Sequence, residues 1–210
     1  MKRFFSTRPG HPTRWRSPYG KLHLYLTAPA AVREQAARYQ EAMADHEQLV
    51  SRQPLQYLHW TVQMIEHHVD ELPVGLPDTL TETLKRQLTD RPLPRLQLTT
   101  GPAVVGVHGV TLWTPPPATV FLDLVHRCRN AVETVLGGSA LAPLSPHFAP
   151  HMGLGYGLVD GDSDPLIRSI KDTWIEPVTS IITAVDLVAV DQHPEQGTFS
   201  WQPISTIDLT

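Results

Sequence analysis

Residues 55–64, LQYLHWTVQM, alternate in the manner of a half-buried strand. Side chains two apart in a strand point the same way, so Leu58, Trp60 and Val62 share one face while Tyr57, His59 and Thr61 share the other. The first set is a core face. The second carries an imidazole and a hydroxyl side by side, and packing alone gives no reason for that pairing.

The 210 residues, 41% of them hydrophobic, suffice for an ordinary core in one large domain or two small ones. The single Cys128 rules out an internal disulfide and is consistent with a cytoplasm. No apolar run approaches the roughly 18 residues of a membrane helix, and the opening MKRFFSTRPGHP lacks the apolar stretch of a secretion signal. A soluble, cytoplasmic protein with no membrane partner is expected, and the mixed composition points to a monomer. The net charge of -4 hides an asymmetry: Lys2, Arg3, Arg8, Arg14, Arg16, Lys21 and Arg33 all precede the first acid, Glu34. A basic, irregular segment over residues 1–20 reads equally as an attractor of a phosphate-bearing ligand or as a solvated basic tail, while Pro and Gly at 9, 10, 12, 18 and 20 disfavour the amphipathic helix of a transit peptide.

After that segment KLHLYLTAPA reads as a strand, and Pro29 opens a helix to about His46 with Val32, Ala36, Tyr39 and Met43 as its apolar stripe. Leu80, Leu84 and Leu88 mark a second helix from about Asp78. Val, Leu and Thr punctuated by Gly101, Gly106 and Gly109 suggest strands joined by tight turns or bulges, stopped by Pro115 to Pro117. A helix from about Ala118 to Leu136 puts Val120, Phe121, Leu124, Val125, Cys128, Val132 and Val135 on one face, making Cys128 a buried apolar residue. DPLIRSIKDTW reads as a short helix with Leu166, Ile167, Ile170 and Trp174 inward. VTSIITAVDLVAV and GTFSWQPISTIDL read as a closing pair of strands separated by DQHPEQG.

The two halves match. The first runs strand, TAPA, helix, strand with His59; the second runs strand, TPPPA, helix, strand with His151. Two such units packed about a pseudo-twofold axis would bring both histidines to one cleft. An imidazole titrates near pH 6.5, so one can accept a proton while its partner donates one, and a hydroxyl such as Thr61 can hold a non-bridging phosphate oxygen. That combination suits in-line displacement at phosphorus and needs no metal or other cofactor.

His59-Trp60-Thr61, a second motif His151-Met152-Gly153 within FAPHMGLGY, the distance between them and the closing strands resemble the 2H phosphoesterase superfamily, which includes 2'-5' RNA ligase-like proteins and cyclic phosphodiesterases; the Phe4-Phe5 and Trp15 opening is similar to actinobacterial members. The resemblance covers about Leu22 to Leu209. It implies an α+β, bilobal fold, two pseudo-symmetric lobes each with an antiparallel-rich sheet and flanking helices around a central cleft, forming a single domain over residues 1–210. It implies that His59 and His151 are the acid-base pair, with Thr61 and the Gly153 position holding the phosphate. The implied ligand is an RNA end or nucleotide with a 2',3'-cyclic phosphate or a 2'-5' linkage.

Gly153 departs from the pattern, because members usually have Thr or Ser there. The Gly153 backbone or Ser145 would have to stand in, or the protein is a catalytically weak nucleotide- or RNA-end-binding protein. Tyr57, on the histidine face, and Tyr156 are the candidate contacts for a base, although in a regular strand Tyr156 turns away from His151. The loops 106–117 and 191–197 are candidates for base preference, and His23 is a candidate to line the cleft from the side. As metal ligands, His67 and His68 with Glu71, and His147 with His151, are disfavoured by loop placement and by Pro150. Neither a phosphate-cradling glycine loop nor a Gly-x-Ser-x-Gly elbow is present.

Overall fold

The apolar stripes read from the sequence become the buried faces of four helices, and the alternating stretches become nine strands, counted among the described residues. A computed structural model of the chain describes residues 1–5, 13–116, 118–145 and 148–209. Arg8, Pro117 and His147, which figured in the expectations above, lie outside the described residues.

The first unit comprises β1 (Lys21–Thr27), α1 (Ala30–Ala42) and β2 (His59–His68), followed by α2 (Leu76–Thr89). The second comprises β3 (Leu96–Thr100), β4 (Ala103–Val105), β5 (Gly109–Trp113), α3 (Thr119–Leu136) and β6 (His151–Tyr156), then α4 (Asp164–Asp172). The chain closes with β7 (Val178–Ile182), β8 (Ala184–His193) and β9 (Thr198–Asp208). VTSIITAVDLVAV is therefore two strands. It breaks at Thr183 because β7 pairs with β3 in one lobe while β8 pairs with β1 in the other.

One sheet has the order β2-β1-β8-β9, all antiparallel. In the other lobe β6 pairs with β5, β5 with β4, and β3 with β7. Gly101 and Pro102 kink the chain between β3 and β4, and the Gly101 N–H donates to the Trp113 carbonyl at 2.6 Å across the kink. The two orders, β2-β1-β8-β9 and β6-β5-β4/β3-β7, correspond strand for strand, with each motif histidine at the start of an edge strand. The fold is α+β with two antiparallel sheets, as expected.

The helices cross over. α1, from the first unit, packs on β6 and β7 of the second sheet, and α3, from the second unit, packs on β2 of the first. Polar side chains mark both crossings: Gln35 donates to the Thr100 and Glu176 carbonyls and accepts from the Thr100 hydroxyl, and Arg129 donates to Gln63 Oε1 at 2.7 Å. One contiguous apolar cluster, with Val32, Tyr39, Trp60, Leu84, Phe121, Leu154 and Val185, fills the space between. Cys128 is buried within it, and burial pushes its thiol up to about 12, an inert apolar side chain.

Trp174 departs from its expected place. α4 ends at Asp172, so helical spacing does not carry the indole inward; it is 66% exposed and its N–H donates to Glu176.

Candidate active site

Leu58, Trp60 and Val62 are buried, so the core face of the opening stretch is as read. The strand, however, starts only at His59, because Leu55–Tyr57 form one turn of 3₁₀ helix. Strand alternation does not reach Tyr57. Its ring packs edge-on against Trp201 and does not line the cavity that His59 and Thr61 face.

That cavity, about 380 Å³ and within the range of small-ligand sites, lies between the two sheets. His23, Tyr25, His59 and Thr61 line it from the first lobe, and His108, Thr111, His151, Gly153 and Tyr156 from the second. The pseudo-twofold thus brings the two motif histidines together, as the repeat required. Phe4, Trp15 and Phe199 add an aromatic wall.

The two histidines are held alike. His59 Nδ1 lies 2.8 Å from the Tyr57 carbonyl and His151 Nδ1 lies 3.0 Å from the Ala149 carbonyl, in each case two residues back. A carbonyl only accepts, so Nδ1 carries the proton and Nε2 is left for the cavity. His59 also stacks on Tyr25, with ring centres 3.7 Å apart and planes 13° from parallel. Tyr25 is the residue opposite Thr61 across the β1/β2 ladder, so the alternation of His23, Tyr25 and Thr27 in KLHLYLT was the sequence signal for it.

Burial separates the pair. His59 is 8% exposed and His151 is exposed to solvent. Burial pushes His59 down to about 4, against the Tyr57 carbonyl bond that favours its protonated form and with added repulsion from His151. Burial likewise pushes His23 down to about 3. In the unfolded chain both imidazoles titrate near 6.5. Their contribution to stability is therefore full above pH 6.5 and is lost as pH falls toward 4 and 3, because the unfolded chain binds protons that the folded one refuses. Within that window each histidine should lower unfolding free energy by about 1.4 kcal/mol per pH unit. Urea titrations at pH 7, 6 and 5 check this; an unchanged midpoint would contradict the burial of both rings.

Tyr156 reaches the cavity through a β-bulge. Thr111 pairs with Gly153 and Val110 with Gly155, leaving Leu154 as the extra residue, so the alternation that would have turned Tyr156 away from His151 is shifted. The bulged backbone is pinned from the other side by residues 51–53. The Gln53 N–H and the Gln40 amide both donate to the Leu154 carbonyl, and the Ser51 hydroxyl accepts from the Tyr156 N–H at 3.0 Å and donates to the Gly197 carbonyl. Gly153 and Thr61 both line the cavity; Ser145, the other donor considered for position 153, does not.

Four of the basic residues near the N-terminus have partners outside the cavity. Lys2 pairs with Asp160, Arg16 with Glu71 and Lys21 with Glu66, and Arg33 donates to the Ala28 carbonyl. No Lys, Arg, Asp or Glu among the described residues lines the cavity. Gly106, His108 and Gln192, from the loops read as candidates for base preference, do line it. Among the described residues no group of three or more His, Cys, Asp or Glu is placed to hold a metal ion, and Glu71 instead accepts from the His68 N–H. No helix among them is long and apolar enough to cross a membrane.

The sequence matches no protein-family model and no curated protein sequence. Solved structures do match in fold. Escherichia coli LigT complexed with 3'-AMP superposes with a TM-score of 0.62 at 19% identity, covering 91% of this chain and 99% of that one. TT0787 of Thermus thermophilus gives 0.64 at 20% identity, covering 90% and 97%. The MHV ns2 PDE domain gives 0.53 at 9% identity, covering 82% and 99%. LigT has also been crystallised with phosphate, ATP and NADP+. The chain has the 2H phosphoesterase fold of LigT.

Proposed function

We propose that this chain, with the 2H phosphoesterase fold as its frame, is a metal-independent phosphoesterase. It hydrolyses a 2',3'-cyclic phosphate, or cleaves or joins a 2'-5' phosphodiester linkage, of RNA or a nucleotide. The observation that carries the reading is the pair His59 and His151, lining one cavity with the same nitrogen protonated by the same local bond. In hydrolysis, buried neutral His59 takes a proton from water as the water oxygen bonds to phosphorus. The bond from phosphorus to the 2' or 3' oxygen breaks, and exposed His151, entering the cycle protonated, gives that oxygen its proton. The products are a phosphomonoester and a free hydroxyl, and proton exchange with solvent resets both imidazoles.

Thr61 donates to a non-bridging oxygen. A lining without Lys or Arg among the described residues fits a phosphodiester, with a single negative charge, better than a doubly charged monoester, and the aromatic wall fits a base. The structures of LigT with 3'-AMP and other nucleotides support a nucleotide ligand here.

Gly153, with no side-chain hydroxyl, favours a second reading in which the cleft binds a nucleotide or RNA end without turnover. Product analysis separates the two. Wild type and the His59→Ala/His151→Ala double variant are incubated with 2',3'-cyclic nucleotides and a 2'-5'-linked dinucleotide, with chelator present. Turnover by the wild type alone is expected; binding without product in every case would support the second reading. Loss of activity in chelator, restored by a divalent metal, would overturn the metal-free mechanism.

A further inference from the structure

The internal repeat makes Gly153 the counterpart of Thr61, each two residues after its motif histidine and each on an edge strand. One half of the site therefore carries a hydroxyl and the other a glycine. The space beside that glycine is filled. A Cβ built on Gly153 would lie 2.6 Å from Tyr156 Oη and 2.9 Å from Tyr156 Cζ, closer than real Cβ contacts allow. A side chain at 153 and the phenol at 156 are thus mutually exclusive occupants of one place.

We propose that Tyr156 supplies, through its phenolic O–H, the second phosphate-holding hydroxyl, delivered to the Gly153 position by the Leu154 bulge. This deepens the phosphoesterase reading and rests on it. Three observations carry the assignment. The bulge turns Tyr156 to the cavity wall. Its ring is clamped among Phe4 at 4.6 Å, Phe199 at 5.2 Å and Phe5 at 5.8 Å, so the oxygen is held in place before any ligand arrives. The hydroxyl stands beside Gly153 in the cavity wall, and burial holds it well above the usual phenol range, so it stays a neutral donor. Among the described lining residues the groups able to donate to a phosphate oxygen include the hydroxyls of Thr61, Thr111 and Tyr156 and the two motif imidazoles.

Tyr156→Phe tests this directly, because it keeps the clamped ring and removes one oxygen. Turnover of a 2',3'-cyclic nucleotide and calorimetric affinity for the 2'-monophosphate product are measured with the melting temperature as a fold control. Thr111→Val, which removes the other hydroxyl directly opposite Gly153, is measured beside it. A loss of about a hundredfold in kcat with an unchanged melting temperature is expected for Tyr156→Phe. Turnover within threefold of wild type, or a loss confined to Thr111→Val, would overturn the assignment while leaving the phosphoesterase reading intact. A wild type without turnover would instead sink that reading. The assignment would then stand on a tenfold or greater loss of phosphate affinity in Tyr156→Phe, and fall with an unchanged affinity or with no binding by the wild type.

Discussion

His59→Ala and His151→Ala are each expected to lower kcat for the hydrolysed substrate by roughly a thousandfold, in the middle of the range for a positioned proton-transfer group. In the proposed mechanism the two act in one step, so the double variant should lose little more than either single one. His151→Ala, at an exposed position, should keep a near-native melting temperature, whereas His59→Ala also removes a buried ring stacked on Tyr25 and should melt lower. The pH profile sharpens the test. As the proposed base, His59 would act only when neutral, and its folded value near 4 means that the rate should hold as pH falls below 6.5 and fail only close to 4. An acid limb near 6.5 would show that the His59 ring is solvated during turnover, and equal activity in either alanine variant would end the two-histidine mechanism.

Gly155→Ala is expected to be the most damaging single-methyl change at the site. A Cβ at Gly155 would collide with the Ser51 carbonyl oxygen and sit 2.6 Å from Met43 Cε. Backbone cannot yield as a flexible side chain does, and this same backbone is tied to β6 by the bonds from Ser51 and Gln53 to Tyr156 and Leu154. Separation of β6 from residues 51–53 should cost about 3 kcal/mol or more. In a chain of this length that lowers the melting temperature by roughly 6 to 12 °C. Differential scanning calorimetry reads the shift directly. A melting temperature within a degree of wild type would mean that the bulge is not held as tightly as its bonds suggest. Activity should fall further than stability alone explains, because the collision lies between His151 and Tyr156, which both line the cavity.

Much of this was legible in the sequence because it depends on local spacing. The stripes Val32, Ala36, Tyr39, Met43 and Leu80, Leu84, Leu88 are buried as spaced, and the strand-helix-strand repeat led to two histidines in one cavity. What failed were assumptions of uninterrupted periodicity. Tyr57 lies one turn before its strand begins, Tyr156 lies one bulge after a clean alternation, and Trp174 lies two residues beyond its helix. None of these breaks leaves a residue-type signature strong enough to locate it. Tyr25 was missed for another reason: its role comes from a ladder partner 36 residues away, and single-strand alternation does not say which strands become neighbours. The basic arm was visible as composition, but composition cannot show that Lys2, Arg16 and Lys21 will pair with acids at positions 160, 71 and 66.

The exchange of α1 and α3 between sheets bears on how the cleft can move. Had each lobe carried its own helix, the two could swing apart about a hinge, as two-domain enzymes do when they admit a ligand. Here each sheet is roofed by a helix rooted in the opposite half, so widening the cleft would pull α1 off β6 and β7, and α3 off β2. The gap between the motif histidines is set by the stiffness of a shared core. The lining residues Phe4, Trp15, Gly106 and His108 belong to segments outside that shared core, so the cavity can change shape there without parting the sheets.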